Sequence, residues 1–517
     1  MKKRFFGILL MMAMFATLAA GWGSAEQVKA ASTTYYFSNL SYNSKWGVSD
    51  YSVSDGALKT TFTSLYGEIK YNFPEEISIS ELASISVGAN TGGQNVAFKF
   101  YDASGNQLFV KYNANCSSYT DFYVSASGSG SIRTIGVMSQ SESSFTATTY
   151  NIKLEFKNSS TSTATLKEAM SGTFGKVGAA VTPQQLRDSA TLAHIKEHYN
   201  SITMENEMKP DAIMTGKIAV EEARNKGYMI PDGYAESYVP ALNFTTVDEV
   251  LKTAHNNGLS LRFHTLIWHK QMPKWFFKYS YNENYDYCNE ATMNKRVEFY
   301  VKNVVAHVCQ SDYADVVYAY DVVNEYFHNA DAGTSHWTQI YGEEGENPSY
   351  VKAAFRYASD ILNEYGRRAK VKLFYNDYNT YLISDQIVNL INNINSGSAL
   401  CDGVGMQSHL DVDWPDAAFI GTTIDKFKNA GLEIQITELD ATINARKDTY
   451  TLEDQSNYYY SIMRMLREKK NAGAKITSVT FWGLHDSVSW RASGKPLLFS
   501  QLGVKKPAYD SVIQAMS

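Results

Sequence analysis

From Leu166 onward, short apolar runs alternate with longer amphipathic stretches. Each run is long enough for one buried strand, and each stretch between them has the spacing of a helix that covers a sheet. Eight such pairs favour an α/β fold in which a parallel (β/α)₈ TIM barrel closes, rather than an open doubly wound sheet. The predicted strands are 177–181, 201–205, 259–266, 316–324, 371–376, 403–407, 433–439 and 478–482, and the clearest helices are 293–309, 350–365, 378–395 and 455–472.

The preceding region, residues 32–157, has period-two patterning instead. Runs such as 69–73 and 96–100 alternate apolar and polar side chains, and turn sequences such as 54–56 separate the runs. This pattern predicts a smaller all-β, jelly-roll-like sandwich domain. Residues 158–165, rich in Ser and Thr, are predicted to form a linker, and the barrel domain then occupies residues 166–517.

Residues 1–30 are predicted to be a secretory signal peptide. The basic run 2–4 precedes an apolar segment over 5–20, and small residues suited to cleavage follow. The apolar segment is too short to span a bilayer comfortably. No cysteine suited to a lipid anchor follows it, and no second long apolar segment occurs later. We therefore expect a secreted, extracellular protein with no membrane attachment, and we expect it to be a monomer.

Charge and composition narrow the choice of partner. The formal net charge is −6 and becomes more negative without the signal segment, which argues against nucleic acid or an anionic membrane. A neutral polymer fits better. Aromatic residues make up 13% of the chain, and they either stack on sugar rings or fill the cores. The four cysteines are widely spread with no metal-ligand spacing, and we expect them to be mostly free and buried.

Polar side chains gather where the predicted barrel strands end. Glu325 directly follows the fourth strand and Glu438 lies at the end of the seventh, where parallel barrels hold their catalytic groups. Two carboxylates suit glycosidic bond cleavage, which needs a proton donor and a nucleophile or base. Amides, imidazoles and indoles at other strand ends suit a sugar, because hydroxyls need fixed partners and ring faces need aromatic surfaces.

A metal or nucleotide site is the rival interpretation of this set. The histidines and acids lie on different strands without a zinc-binding spacing. No Gly-rich phosphate loop follows the first predicted strand, so we expect no nucleotide cofactor. We accordingly expect neither a metal nor a cofactor at the barrel site.

Seven motifs occur in one order along residues 166–517, and together they resemble the successive signatures of glycoside hydrolase family 10. That family consists chiefly of retaining endo-1,4-β-xylanases on a (β/α)₈ barrel, which act on xylan and xylo-oligosaccharides without a cofactor. More loosely, residues 32–157 resemble the family 22 carbohydrate-binding modules attached to such xylanases, through the run 66–71 and the order of the strands. The seven motifs are NSITMENEMKP (200–210), HTLIWH (264–269), DVVNE (321–325), NDYN (376–379), GMQSH (405–409), ITELD (436–440) and FWG (481–483).

The resemblance implies a role for each matching residue. Glu325 would be the acid/base and Glu438 the nucleophile, with their carboxyl groups about 5–5.5 Å apart. Asn324 would bind the sugar 2-hydroxyl beside the nucleophile. Gln407 and His409 would hold the carboxylate of Glu438, and Asp440 would orient His409. The other residues implied to bind substrate are Glu205, Asn206, Lys209, His264, Trp268, Gln271, Tyr378, Trp482 and Trp490.

Several neighbours have a structural alternative. Tyr378 and His269 are as easily structural groups as sugar contacts, while Asp321 and Asp377 are expected to be structural acids. Arg491 either pairs with an acid at the rim or touches sugar.

Further positions also stay open. Tyr320 stands where the family usually has Trp, a change expected to affect packing only slightly. Trp275 is favoured as core, and the stretch 277–287 either extends the cleft or decorates its rim. In the sandwich, Trp46, Tyr66 and Tyr123 are either surfaces for sugar stacking or core residues.

Two other functions compete with xylan cleavage. One is a retaining polysaccharidase acting on β-glucan or cellulose. The other is a non-catalytic polysaccharide-binding protein, which the presence of both glutamates with their supporting groups disfavours.

Overall fold

The computed structural model describes residues 32–124, 126, 130–156, 164–329, 335–444 and 450–517. The predicted signal peptide and most of the predicted linker, residues 158–163, lie outside the described residues. Within the described ranges, no helix combines the length and the apolar content needed to cross a bilayer. All four cysteines are free, as expected; two are buried and two are partly buried.

The N-terminal region forms two antiparallel sheets with one core between them. Buried side chains from both sheets, such as Leu58, Ile85, Ile69 and Phe98, belong to a single hydrophobic cluster. One sheet has the order β3-β4-β11-β6-β9, with β1 paired to β11, and the other has the order β2-β5-β10-β7-β8. The strands are β1 Ser32–Tyr36, β2 Ser41–Trp46, β3 Val48–Ser54, β4 Ala57–Phe62, β5 Glu68–Ser78, β6 Leu82–Asn90, β7 Val96–Tyr101, β8 Gln107–Ala114, β9 Thr120–Val124, β10 Ser131–Ser139 and β11 Phe145–Phe156.

The C-terminal region is a closed barrel of eight parallel strands. Their order is β12, β13, β16, β17, β18, β19, β21 and β22; β22 pairs with β12 and thereby closes the ring, and the short β20 extends the sheet beside β21. The strands of this region are β12 Lys176–Val181, β13 Ser201–Met204, β14 Met214–Ala219, β15 Tyr238–Leu242, β16 Ser260–Ile267, β17 Val317–Asn324, β18 Lys372–Asp377, β19 Gly403–Met406, β20 His409–Asp411, β21 Glu433–Thr442, β22 Lys475–Phe481, β23 Phe499–Gln501 and β24 Val504–Lys505.

Helices separate the barrel strands and cover the outside of the barrel. Some of their N-termini carry side-chain caps: at the start of α12, for example, Thr451 and Asp454 form a reciprocal capping box, which satisfies backbone N–H groups that lack a helical partner. The helices are α1 Leu166–Phe174, α2 Pro183–Arg187, α3 Ser189–His198, α4 Pro210–Ile213, α5 Val220–Asn225, α6 Thr245–Asn256, α7 Glu290–Gln310, α8 Thr338–Tyr341, α9 Ser349–Glu364, α10 Ser384–Ile394, α11 Ala417–Asn429, α12 Leu452–Asn471 and α13 Pro507–Met516.

The predicted fold class is confirmed: a TIM barrel follows a smaller all-β region of antiparallel sheets. Two local differences have physical causes. The helix predicted from residue 378 begins only at Ser384, because Asn379 has a left-handed φ of 46° that a helix cannot contain. The antiparallel pair of β14 and β15 lies outside the βα alternation, and periodicity did not predict it.

The two regions contact each other through α12. Arg464 on that helix lies 2.6 Å from Glu155 Oε1 and donates to Ser84 Oγ at 2.9 Å. Tyr123 donates its hydroxyl to Glu468 at 2.7 Å, so its ring is packed against the barrel rather than presented to solvent. The other two aromatic candidates, Trp46 and Tyr66, are 63% and 59% exposed.

Candidate active site

A cleft of about 370 Å³ lies at the C-terminal ends of the barrel strands. Its size is in the range of small-molecule sites. Every residue predicted for the site contributes to its wall except Gln271 and Asp440, which lie behind it. The lining residues are Glu205, Asn206, Lys209, His264, Trp268, Lys270, Asn324, Glu325, Tyr378, Gln407, His409, Glu438, Trp482 and Trp490.

Glu325 stands at the point where the chain leaves β17. Its backbone has a left-handed φ of 55°, a conformation that costs free energy in a non-glycine residue and is concentrated at functional sites. Its N–H donates to the carbonyl oxygen of Asn376 at 2.8 Å. The carboxylate accepts from Gln407 Nε2 at Oε1 and from Trp268 Nε1 at Oε2, both at 2.9 Å.

The environment of Glu325 favours its protonated form. The side chain is 7% exposed, and burial raises the pKa of this carboxyl group above its usual range. The hydrogen bond from Gln407 opposes the shift, while the negative charges of Asp377 and Glu438 add to it. A carboxyl group that keeps its proton in this way can serve as a general acid.

Glu438 is held as a carboxylate. Its Oε1 accepts from Asn376 Nδ2 at 2.9 Å, and its Oε2 lies 3.1 Å from His409 Nε2. Burial alone would raise the pKa of Glu438, but the hydrogen bond from His409, the charge of His264 and the bond from Asn376 together lower it. The two glutamates of one cleft therefore have pKa values displaced in opposite directions, the pattern expected of an acid and a nucleophile.

His409 lies between two carboxylates. Its Nδ1 is 3.0 Å from Asp440 Oδ2, and its Nε2 faces Glu438. Burial would lower the pKa of the imidazole, but the charge and hydrogen bond of Asp440, together with Glu438, raise it to about 10. His409 is accordingly an imidazolium that donates from Nε2 to Glu438 and forms an ion pair with Asp440.

An amide network joins the two glutamates. Asn324 Oδ1 accepts from Asn376 Nδ2 at 2.8 Å and from Gln407 Nε2 at 3.2 Å. Both bonds are made to Oδ1, so the Nδ2 group of Asn324 is the end of this amide available to a ligand.

One expectation for this network needs correction, and one role was missed. Gln407 was expected to hold Glu438, but its amide donates to Glu325 and Asn324, because the two carboxylate oxygens of Glu438 already face Asn376 and His409. Asn376 donates to Glu438 instead. This residue was recognised as a strand-end amide but given no role.

The far end of the cleft is built around a buried lysine. Lys209 donates to Asn206 Oδ1 at 3.1 Å and to Gln271 Oε1 at 2.9 Å, and its Nζ lies 4.9 Å from the ring centre of Trp268. Gln271 thus reaches the site through the lysine it holds. Burial lowers the pKa of Lys209 and raises that of Glu205. This end offers fixed donors and acceptors beside an indole face, as sugar binding requires.

Residues 165–515 match the profile of the glycosyl hydrolase family 10. The chain belongs to this family. An endo-1,4-β-xylanase A from Butyrivibrio fibrisolvens is 42% identical over 356 residues, which are 68% of this chain and 84% of the relative. A bifunctional endo-1,4-β-xylanase from Ruminococcus flavefaciens is 37% identical over 364 residues, or 69% of this chain. The match spans only 34% of that relative's length.

A solved structure resembles the family 10 chain over both regions. It is a CBM22-1–GH10 fragment of an endo-1,4-β-D-xylanase from Clostridium thermocellum complexed with xylohexaose, with a TM-score of 0.57 and 24% identity. The match covers 93% of this chain and 95% of the other. The likeness is one of fold, and it includes the N-terminal sandwich that was predicted from the sequence to resemble family 22 modules.

Buried ion pairs support the floor of the family 10 cleft. Asp321 accepts from Arg262 Nε at 3.0 Å and lies 3.0 Å from His264 Nδ1. It is therefore a structural acid, as predicted. Asp377 pairs with His328 at 2.7 Å, and the ring of Tyr378 stacks on that imidazole at 3.7 Å.

The structure also shows the surroundings of other residues whose roles the sequence left open. Arg491 pairs with Asp411 and Asp440 at the rim. Pairing with an acid was one of the two roles expected for it. Tyr320 is fully buried against Phe263, and Trp275 packs against the barrel core. Among the described residues that line the cleft, none comes from 277–287.

The sequence patterns did not single out Lys270. Its side chain is half exposed, and its Nζ lies 3.9 Å from Glu325 Oε2. It directly follows His269, the last residue of a motif recognised for other residues. Within the described parts of the chain, His, Cys, Asp and Glu side chains do not form a group of three or more that could hold a metal ion.

Proposed function

We propose that this chain is an endo-1,4-β-xylanase that hydrolyses internal β-1,4-xylosidic bonds of xylan with retention of anomeric configuration. The observation that carries the proposal is one cleft with two buried carboxyl groups, Glu325 with a raised pKa and Glu438 with a lowered pKa. The family assignment and the relatives named endo-1,4-β-xylanase support the choice of substrate.

In the first half of the reaction, the carboxylate of Glu438 attacks the anomeric carbon of the sugar. Glu325 gives its proton to the glycosidic oxygen, the bond from that oxygen to the anomeric carbon breaks, and an ester to Glu438 forms. The Nδ2 group of Asn324 is placed to donate to the sugar 2-hydroxyl, a contact expected to strengthen toward the transition state.

In the second half, Glu325 acts as a base. The negative charge of Glu438 contributes to the raised pKa of Glu325, and that charge disappears when the ester forms. The pKa of Glu325 then falls, so its carboxylate can take a proton from water. The hydroxide attacks the anomeric carbon, and Glu438 leaves as a carboxylate.

The xylan backbone suits the glycone end of the cleft. Glu205, Asn206 and Lys209 supply hydrogen-bonding groups for hydroxyls, and the indoles of Trp482 and Trp490 lie nearby in the same wall. Xylose lacks the C6 hydroxymethyl group of glucose. Crowding by the two indoles would therefore discriminate against glucan chains, since a few kcal/mol of steric conflict separates two substrates strongly.

We also propose that the chain is exported and that its sandwich binds polysaccharide. Export is supported by the order of charged, apolar and small residues over 1–30. Polysaccharide binding is supported by the fold of the module and by the exposed rings of Trp46 and Tyr66. A tethered binder would raise the effective concentration of the catalytic domain at an insoluble polymer.

The test is reducing-sugar release from xylan and from cellulose, with Glu438→Gln as the control. We expect activity on xylan, little on cellulose, and none with the variant. Preferred cleavage of cellulose would favour the glucanase alternative. A chain inactive on both polymers would contradict catalysis, and activity retained by Glu438→Gln would contradict the assigned nucleophile.

A further inference from the structure

Arg491 joins two neighbouring strands, the short β20 and the barrel strand β21. This residue lies in the segment after β22, and its Nη1 donates to Asp440 Oδ1 at 2.7 Å and to the carbonyl oxygen of Leu410 at 2.9 Å. Its Nη2 donates to Asp411 Oδ1 at 2.7 Å and to Thr442 Oγ1 at 3.2 Å. Two of these partners lie on β20 and two on β21, so a single guanidinium fixes both strands where they enter the site.

Asp440 connects Arg491 to His409 and thereby to the nucleophile. Its carboxylate is fully buried. While Arg491 occupies Oδ1, Oδ2 lies 3.0 Å from His409 Nδ1 and accepts from Trp490 Nε1 at 3.1 Å. His409 in turn faces Glu438. The four ionisable groups form a row of alternating charge: guanidinium, carboxylate, imidazolium, carboxylate.

We propose that Arg491 is a positioning residue for the nucleophile: by fixing Asp440, and through it His409, it maintains the hydrogen bond that keeps Glu438 ionised and in place. Arg491 does not line the cleft, so it acts without touching sugar. A buried carboxylate that loses one partner of an ion pair is left with uncompensated charge, and the groups it orients lose their fixed geometry. The proposal rests on the retaining mechanism proposed above.

The other charged groups near the row belong to separate elements. Glu438 also interacts electrostatically with four charged groups outside the row. They are His264 and Arg262 of β16, Lys209 at the start of α4, and Glu325 after β17. On the helical side, Tyr459 of α12 lies close to Asp440 and Arg491. A substitution of Arg491 leaves all of these in place.

Replacing Arg491 should raise the pKa of Glu438 for two separate reasons. Removing the guanidinium takes away positive charge, which raises the pKa of Glu438. Freeing Asp440 also loosens His409, and Glu438 then loses a donor to its charged form, which raises its pKa again. Glycosylation needs Glu438 ionised, so the acidic limb of the pH profile moves to higher pH. The basic limb belongs to Glu325, whose donors Gln407 and Trp268 are untouched.

The experiment compares the pH dependence of kcat/KM on a soluble xylo-oligosaccharide for the full chain and three variants. Arg491→Met removes the charge and all donors, whereas Arg491→Lys keeps the charge but cannot bridge both strands. Arg367→Met is the matched control, because the Arg367 side chain is 17% exposed, compared with 19% for Arg491. Arg367 pairs with Asp315 on an unrelated surface.

We expect Arg491→Met to move the acidic limb up by about one pH unit, a tenfold loss of activity on that side, with the basic limb unchanged. Arg491→Lys should shift it less, and the control not at all. An acidic limb at the wild-type position in a folded Arg491→Met variant would overturn the proposal, as would an equal loss of activity at every pH.

Should Arg491→Met fail to fold, Arg491→Gln replaces it. That variant is neutral but keeps side-chain donors, and the same shift of the acidic limb is expected. An unshifted limb in Arg491→Gln would also overturn the proposal. A wild-type chain that cleaves no xylo-oligosaccharide would instead refute the proposed function, so the two failures are distinguishable.

Discussion

Gln407 donates its side-chain N–H to Glu325 Oε1 at 2.9 Å. A hydrogen bond to the charged form of an acid lowers its pKa, so Gln407 opposes the upward shift that burial imposes on Glu325. The pKa of the proposed acid/base is therefore a balance between burial and one amide of a neighbouring strand.

Replacing Gln407 by Met should raise the pKa of Glu325. Glu325 must be protonated for the first step, so activity persists to higher pH and the basic limb of kcat/KM moves up by about one unit or less. The acidic limb should stay, because Asn376 and His409 hold Glu438. Gln310→Met, on the exposed end of α7, is the control. A basic limb that moves down would contradict this balance.

Lys270→Met should shift the same limb in the same direction. The lysine Nζ lies 3.9 Å from Glu325 Oε2, and a nearby cation favours the ionised carboxylate, so its loss raises the pKa of Glu325. Because Lys270 is half exposed, the shift should be a few tenths of a unit and should shrink as ionic strength rises. Lys270→Arg keeps the charge and should behave as wild type; a pH profile insensitive to Lys270→Met would count against this contact.

Asp321→Asn should destabilise the barrel strongly. Asp321 is buried between Arg262 and His264, and removing one charge of a buried pair costs about 3–5 kcal/mol. Asp315→Asn is the control, because Asp315 is 81% exposed in its pair with Arg367 and such pairs contribute about 0–1 kcal/mol. Thermal unfolding measures both variants, and equal unfolding temperatures would contradict the structural role of Asp321.

Arg464→Met should weaken the contact between the sandwich and the barrel. Arg464 lies 2.6 Å from Glu155, and its removal leaves that carboxylate in the interface at a cost of about 2 kcal/mol. We expect calorimetry to show the sandwich unfolding at a lower temperature than in the wild type, while Arg224→Met, on the exposed α5, changes nothing. An unchanged calorimetric trace would show that the Arg464 contact does not stabilise the interface.

The fold could be predicted from the sequence because a barrel repeats one local pattern. Each strand is a short apolar run followed by polar residues, so the strand positions and a strand end such as Asn324 follow from periodicity. Glu438 was expected at the end of its strand but lies within β21, which continues to Thr442. The β14–β15 pair breaks the repeat, and the left-handed turn at Asn379 carries no periodic signal.

Partners within the site could not be predicted in the same way. Whether Gln407 reaches Glu325 or Glu438 depends on the side-chain direction after β19, and Asn376 faces Glu438 only once β18 and β21 are placed in the closed barrel. The contacts of Arg491 join segments that are distant in sequence. The sequence left Tyr123 as a candidate for sugar stacking. The side chains that pack against its ring, Glu468 and Arg464 of α12, belong to the other region of the chain, so the local pattern gave no sign of them.

The most direct test of the central claim is proton NMR of a xylo-oligosaccharide during its hydrolysis, which reports the anomeric form of the first product. If Glu438 forms an ester and Glu325 then activates water on the face that the leaving group vacates, the β-anomer appears first and converts slowly to the equilibrium mixture. Initial release of the α-anomer would contradict the account, because it would require direct attack by water with Glu438 as a base.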